Sequence, residues 1–217
     1  MSTLAVTVIG ARPSAQTAAP AIVFQLRLEN ISSRRIYALG LRCHIQIEPR
    51  GRRHSPEEQA RLYELFGDAR QWDRTLHPVT WAQASTMVPT FDSQIDIDLP
   101  VPCTYDLEVG SAKYLHAIRT GYITLGFAFS GTAFSLTDRS SLTVQPVSWD
   151  VETSFRMPAT VWRATMDQFF PGGGWLRLQS DTIDRLQAFR GQQAMLSWDD
   201  AIGLLLKRGL ENRGAEK

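Results

Sequence analysis

Residues that ligate metals or act as nucleophiles are scarce, with two cysteines and four histidines among 217 residues. Cys43 and Cys103 can form at most one disulfide, which excludes a small scaffold held together by cystines. No pair of ligands stands at the short spacings that zinc takes, and Cys43 and His44, being adjacent, would face opposite sides of a strand. Charge of a single sign is also missing. The 23 Lys and Arg nearly balance the 22 Asp and Glu, leaving +1 and no field that would gather nucleic acid or an anionic membrane. No apolar run approaches the ~18 residues of a membrane-spanning helix. The opening MSTLAVTVIGARPSAQ has neither the basic start nor the apolar core of a secretory signal. A soluble cytoplasmic protein with reduced cysteines is expected, without metal or cofactor.

What is present is alternation. Leu4–Ile9 is a short β-rich run. Ile22, Phe24, Leu26 and Leu28 fall on one face of a strand and Val23, Gln25, Arg27 and Glu29 on the other. After the turn at 30–34, Tyr37, Leu39, Leu41, Cys43, Ile45 and Ile47 repeat the pattern, so the two strands read as an antiparallel hairpin. Further strands are expected over 94–99, ended by Pro100 and Pro102, and over 104–109 with Tyr105, Leu107 and Val109 inward. The densest core-forming stretch is Pro102 to Phe134, in which Tyr122–Ser130 reads as a central strand buried on both faces. Segments 132–136, 142–149 and 151–155 complete about eight or nine strands, which favours a sandwich over a parallel sheet.

Helix signals interrupt and follow the strands. Ser55-Pro56-Glu57-Glu58 is a capping box that opens a helix ending near Gly67. After Met157 the period becomes helical, through Trp162, Met166 and Phe169, then Ile183, Leu186 and Phe189, then Trp198, Ile202 and Leu205. The expected fold is mainly β with α: an antiparallel, Ig-like or related sandwich over 1–156 with the helix 55–67 inserted. A helical cap over 157–210 would dock on it, because helices this short are marginal alone, and 211–217 would be a frayed tail.

The residues hold no convergent catalytic set. Cys103 with His116 or His77 has no nucleophile signature around it. Asp92, Asp96 and Asp98 share a strand face but lack the spacing of a calcium loop, and read as a solvated face. Pro171–Gly174 follows a helix, so it is a linker and not a phosphate loop. Two features suit a partner. Arg50, Arg52 and Arg53 form the basic cluster of the chain, ahead of a helix N-terminus whose field Glu57 and Glu58 blunt. Trp72 and Trp175 lie in loops where a large ring can anchor another protein. The other tryptophans of the C-terminal half, Trp149, Trp162 and Trp198, read as cement between sandwich and helices.

Five phrases together carry a family likeness: ALGLRCHIQIEPRGRRHSPEEQARLYELFG, QWDRTLHPVTW, VPCTYDLEVGSAKYLHAI, GWLRLQSDTIDRLQAFR and SWDDAIGLLL. They resemble a bacterial family of unknown function, mainly actinobacterial, whose genes lie beside those of an oxygen-tolerant, hydrogen-scavenging nickel–iron hydrogenase. The resemblance spans Ile22 to Leu206 and offers no catalytic residues to transfer. It implies a non-catalytic accessory protein whose partner is a hydrogenase subunit or maturation factor. The alternative is a small-molecule or metal-binding module that uses the mouth of the sandwich.

Overall fold

The computed structural model describes residues 4–15, 17–32, 34–104, 106, 109–136, 141–148, 150–173 and 177–215. It divides into two compact units, Met1–Trp175 and Leu176–Lys217.

The first unit is an antiparallel β-sandwich. One sheet has β1 (Leu4–Pro13), β2 (Ala21–Asn30) and β5 (Gln94–Pro102) in the order β1-β2-β5. The other has β4 (Val79–Val88), β3 (Ile36–Ile47), β6 (Tyr122–Leu136) and β7 (Leu142–Pro146) in that order, with β8 (Glu152–Pro158) also pairing with β6. The expected β2–β3 hairpin is not formed: the turn at 30–34 carries the chain from one sheet to the other, and β2 pairs with β1 and β5 while β3 pairs with β4 and β6. The inward positions of both sheets form one core. Ile22, Phe24, Leu26 and Leu28 meet Leu39, Leu41, Cys43, Ile45, Phe127 and Phe129, all of them buried. Phe24 is its aromatic hub, edge-on to Phe127 at 5.1 Å, Trp81 at 5.9 Å and Phe155 at 6.4 Å.

Several strands depart from the periodicity for local reasons. Tyr37 was expected inward, but the β3 register slips between Ile36 and Ala38, so Ile36 is buried and Tyr37 is 45% exposed. Strand β5 runs through Pro100 and Pro102 instead of stopping there. It is the edge of its sheet, where a proline removes no ladder bond that a neighbour needs. Strand β6 is not buried on both faces: residues 123, 125, 127 and 129 are buried while their neighbours are not. Its outward positions, Gly126, Ala128 and Ser130, are small, which lowers the polarity that would otherwise mark a solvent face. At Gly131, with φ of 157°, a Cβ would lie 2.0 Å from the Gly40 carbonyl oxygen, so only glycine fits where β6 passes from β8 to β7. Of the expected strand over 104–109, Tyr105 and Leu107 lie outside the described residues, and Val109 is the N-cap of α3 (Gly110–Ala117).

Helix α1 (Pro56–Phe66) starts as its capping box requires. The Glu58 amide donates to Ser55 Oγ at 3.3 Å and the Ser55 amide donates to Glu58 Oε2 at 2.9 Å. Gly67 closes it with a φ of 70°. A short α2 (Trp72–Thr75) precedes β4. Helix α4 (Ala159–Phe169), which the sequence grouped with the later helices from 157, belongs to the sandwich unit. Its Trp162, Thr165 and Met166 are buried in contact with the core, so the boundary falls after Trp175 and not after Arg156.

The second unit is a helical hairpin of α5 (Ser180–Gln192) and α6 (Trp198–Ala215). Ser197 Oγ accepts from the Asp200 amide at 3.0 Å to cap α6. The helix continues to Ala215, past the point where a frayed tail was expected from 211. Arg190 lies 4.1 Å above the ring of Trp198.

Candidate functional site

Two surfaces of the sandwich stand out, one polar and one apolar. The polar one is a corner where the loop after β3 meets α1, α2 and the start of β6. Arg50 Nε donates to the Leu76 carbonyl and Arg50 Nη2 to the Asp73 carbonyl, each at 2.6 Å, tying two loops together. Gly51 lets the loop press on β6, because a Cβ there would lie 2.6 Å from Thr124. Arg52 Nη2 contacts both Glu58 oxygens at 2.9 Å, and the two side chains are only 10% and 7% exposed. Arg52 Nη1 is buried without a hydrogen-bond partner among the described residues. Arg53 is exposed at the rim.

Behind the arginines lies an aromatic wall. His54 Nε2 and the Tyr114 hydroxyl are 2.9 Å apart. Trp72 is edge-on to His54 at 5.2 Å and to Phe66 at 6.2 Å, and its indole N–H donates to the Gly67 carbonyl at 3.2 Å. The structure thus brings Trp72 together with Arg50, Arg52 and Arg53, as residues around one open depression of about 660 Å3. Trp72 is half-buried and partly occupied in holding the corner. Trp175 and Trp149 lie outside the described residues.

Burial dominates the titration of this corner. It lowers the His54 pKa from the ordinary 6.5, with Arg52 adding to the shift and Glu58 opposing it. It also pushes the Tyr114 hydroxyl well above its usual value. His116, on α3, is lowered chiefly by burial and then by Arg119 and Arg61. A histidine whose folded pKa is depressed contributes stability that is complete above about 6.5 and is lost as pH falls through the folded value, because the unfolded chain binds the proton first. The urea midpoint is therefore expected to fall between about pH 7 and pH 5, with a shallower fall in His54→Gln. A midpoint that stays level or rises over that range would contradict this assignment.

The remaining sequence candidates separate. Both cysteines are free, and burial pushes each thiol up to about 12, so neither supplies a thiolate near neutrality. Asp96 is held by Arg27 through two 2.8 Å bonds, Asp98 by Arg12 at 2.5 Å, and Asp92 faces Arg35 at 3.4 Å. The acidic strand face is thus an exposed arginine–aspartate ladder. Among the described residues no three His, Cys, Asp or Glu side chains come together as metal ligands. No helix is long and apolar enough to cross a membrane among the described residues.

The apolar surface was not anticipated. Residues paired across an antiparallel ladder share a face. Gly40 pairs with both Met87 and Thr132, Phe134 with Val144, and Leu136 with Leu142. All sit on the outer side of the five-stranded sheet, opposite the buried Leu39, Leu41 and Ala133. Met87 is 66% exposed, Leu142 63% and Val144 56%, with Tyr37 at the adjoining bulge. Met87 and Phe134 line one depression of about 720 Å3 with Arg42, Ser85, Ser130 and Thr132. The signal in the sequence was the apolar character of alternate outward positions, Phe134, Leu136, Leu142 and Val144, which read instead as ordinary strand content.

Fold and surfaces together define a β-sandwich with helices, a polar corner and an apolar outward sheet face. The chain belongs to a family of unknown function, DUF6084, whose profile matches residues 1–214. No curated protein matches it. Among solved structures it is similar to the crystal structure of the Putative ApaA Protein from Bordetella pertussis. The two are 13% identical, and the alignment covers 71% of this chain and 94% of that one with a TM-score of 0.25.

Proposed function

We propose that the protein is a non-catalytic interaction module that docks another protein on the outer face of its five-stranded sheet. The observation that carries this reading is the apolar area spanning β4, β3, β6 and β7. A solvated antiparallel sheet face alternates apolar-in and polar-out, whereas here the outward residues at one end include Met87, Tyr37, Phe134, Leu136, Leu142 and Val144, beside Gly40 and Thr132. Exposed apolar surface of that kind, rimmed here by Arg42, Ser85 and Ser130, marks a place where another molecule excludes water. The family likeness supplies the leading partner, a nickel–iron hydrogenase subunit or maturation factor. Accessory work of that kind is a matter of holding a partner and requires no catalytic group.

Met87→Asp and Val144→Asp test it. Both side chains are solvent-exposed, so folding stability should change by no more than about 0.5 kcal/mol. Partner affinity should fall at least about tenfold, as for central interface residues. Hydrogenase assembly in cells carrying either variant should fall with it. Assembly and co-purification equal to those of the natural protein would exclude this face.

A further inference from the structure

We propose that the arginine corner, separate from the docking face, binds a phosphoryl group. Three observations converge there. Arg50, Arg52 and Arg53 rim two adjoining depressions of about 540 and 660 Å3, whose only acidic lining side chain among the described residues is Asp73, itself 73% exposed and 3.9 Å from Arg74. The corner is preorganised: Arg50 is fixed by two carbonyls, and the Gly51 carbonyl accepts from Thr124 Oγ1 at 3.2 Å. Finally, Arg52 is nine-tenths buried, and while its Nη2 is held by Glu58, its Nη1 has no hydrogen-bond acceptor among the described residues. Buried donors without partners are rare in folded proteins, and an oxyanion is the acceptor that a guanidinium fork fits best.

The ordinary competitor, a helix N-terminus acting alone, is set aside by the same geometry. The first turn of α1 already carries Glu57 and Glu58, and its Ser55 and Glu58 groups cap each other. The site therefore rests on guanidinium groups and not on the helix dipole. It lies by Gly121 and Tyr122 at the start of β6, whereas the apolar face lies ten or more residues further along, roughly 30 Å away at the rise of a strand. The two surfaces can be occupied independently.

Calorimetry and amide NMR on the full chain, with inorganic phosphate and with phenyl phosphate at low ionic strength, test this. Saturable binding with shifts at residues 50–54 and 121–124 is expected. It should be weakened at least tenfold by Arg53→Ala, an exposed rim residue whose loss leaves the fold intact, and left unchanged by Arg35→Ala, which stands before the opposite end of β3. Tighter binding of phenyl phosphate would assign an organic phosphate ester, and equal binding would assign the free ion; either supports a phosphoryl site. Absence of saturation would overturn the proposal. So would equal losses in Arg53→Ala and Arg35→Ala, which denote diffuse charge attraction, or benzoate binding as tightly as phenyl phosphate.

Discussion

Phe24→Ala is expected to cost about 3–5 kcal/mol, the range for truncating a fully buried aromatic. Phe24 is 0% exposed and stands at the centre of β2, where its ring meets the edges of Phe127, Trp81 and Phe155. These partners come from β6, β4 and β8, so one side chain joins the small sheet to three strands of the large one. Edge-to-face pairs add to the area term, and the rigid ladders around them restrict collapse into the cavity. Phe24→Leu, which keeps most of the volume, should lose less than half as much. Urea unfolding of both variants measures the difference. Equal losses would mean that the ring geometry, and not the apolar volume that leucine restores, carries the cost.

Glu58→Ala carries an expected loss of about 3–5 kcal/mol, because it strands the Arg52 charge in a buried position. The Arg52 and Glu58 side chains are 10% and 7% exposed, so solvent cannot replace the lost carboxylate. The same substitution removes the acceptor of the Ser55 amide and with it half of the capping box. Replacing both partners tells charge from shape. Arg52→Met with Glu58→Leu should recover most of the loss, since two apolar side chains of similar volume need no mutual compensation. If the double replacement is as unstable as Glu58→Ala, the cost lies in the cap and in packing. The double replacement should also abolish phosphate binding at the corner while the protein stays folded.

Much of the architecture was legible because it depends on local rules. The alternation in β2 and β3, the Ser55–Glu58 box, the Gly67 cap and the helical period after Met157 all appear in the structure where periodicity placed them. The departures share one physical origin, which is that neighbours decide what a local pattern means. Pro100 and Pro102 end a strand only if a ladder needs their amides, and β5 turned out to be an edge. Tyr37 continued an inward series by count, but a bulge moved it outward. Tyr122–Ser130 read as doubly buried because small outward residues looked like core.

The candidate surfaces divide in the same way. The arginines were visible as a cluster, and their union with Trp72 depended on Arg50 reaching the carbonyls of Asp73 and Leu76. The Arg52–Glu58 pair was hidden in the sequence, where Glu58 counted as a capping residue and as a charge at the helix N-terminus, but not as a buried partner of one arginine. The apolar face was least legible of all. Its members come from β3, β4, β6 and β7, and only register shows that they share a side.

The docking claim is tested most directly by placing a photo-crosslinking residue at position 87 or 144 of the full chain, in cells that assemble a nickel–iron hydrogenase, the proposed partner. The account predicts a crosslink from both positions to one protein, a hydrogenase subunit or maturation factor, and none from position 12 on the outer face of the small sheet. Crosslinking from position 12 alone, or no crosslink at 87 and 144 in cells whose hydrogenase matures normally, would contradict it.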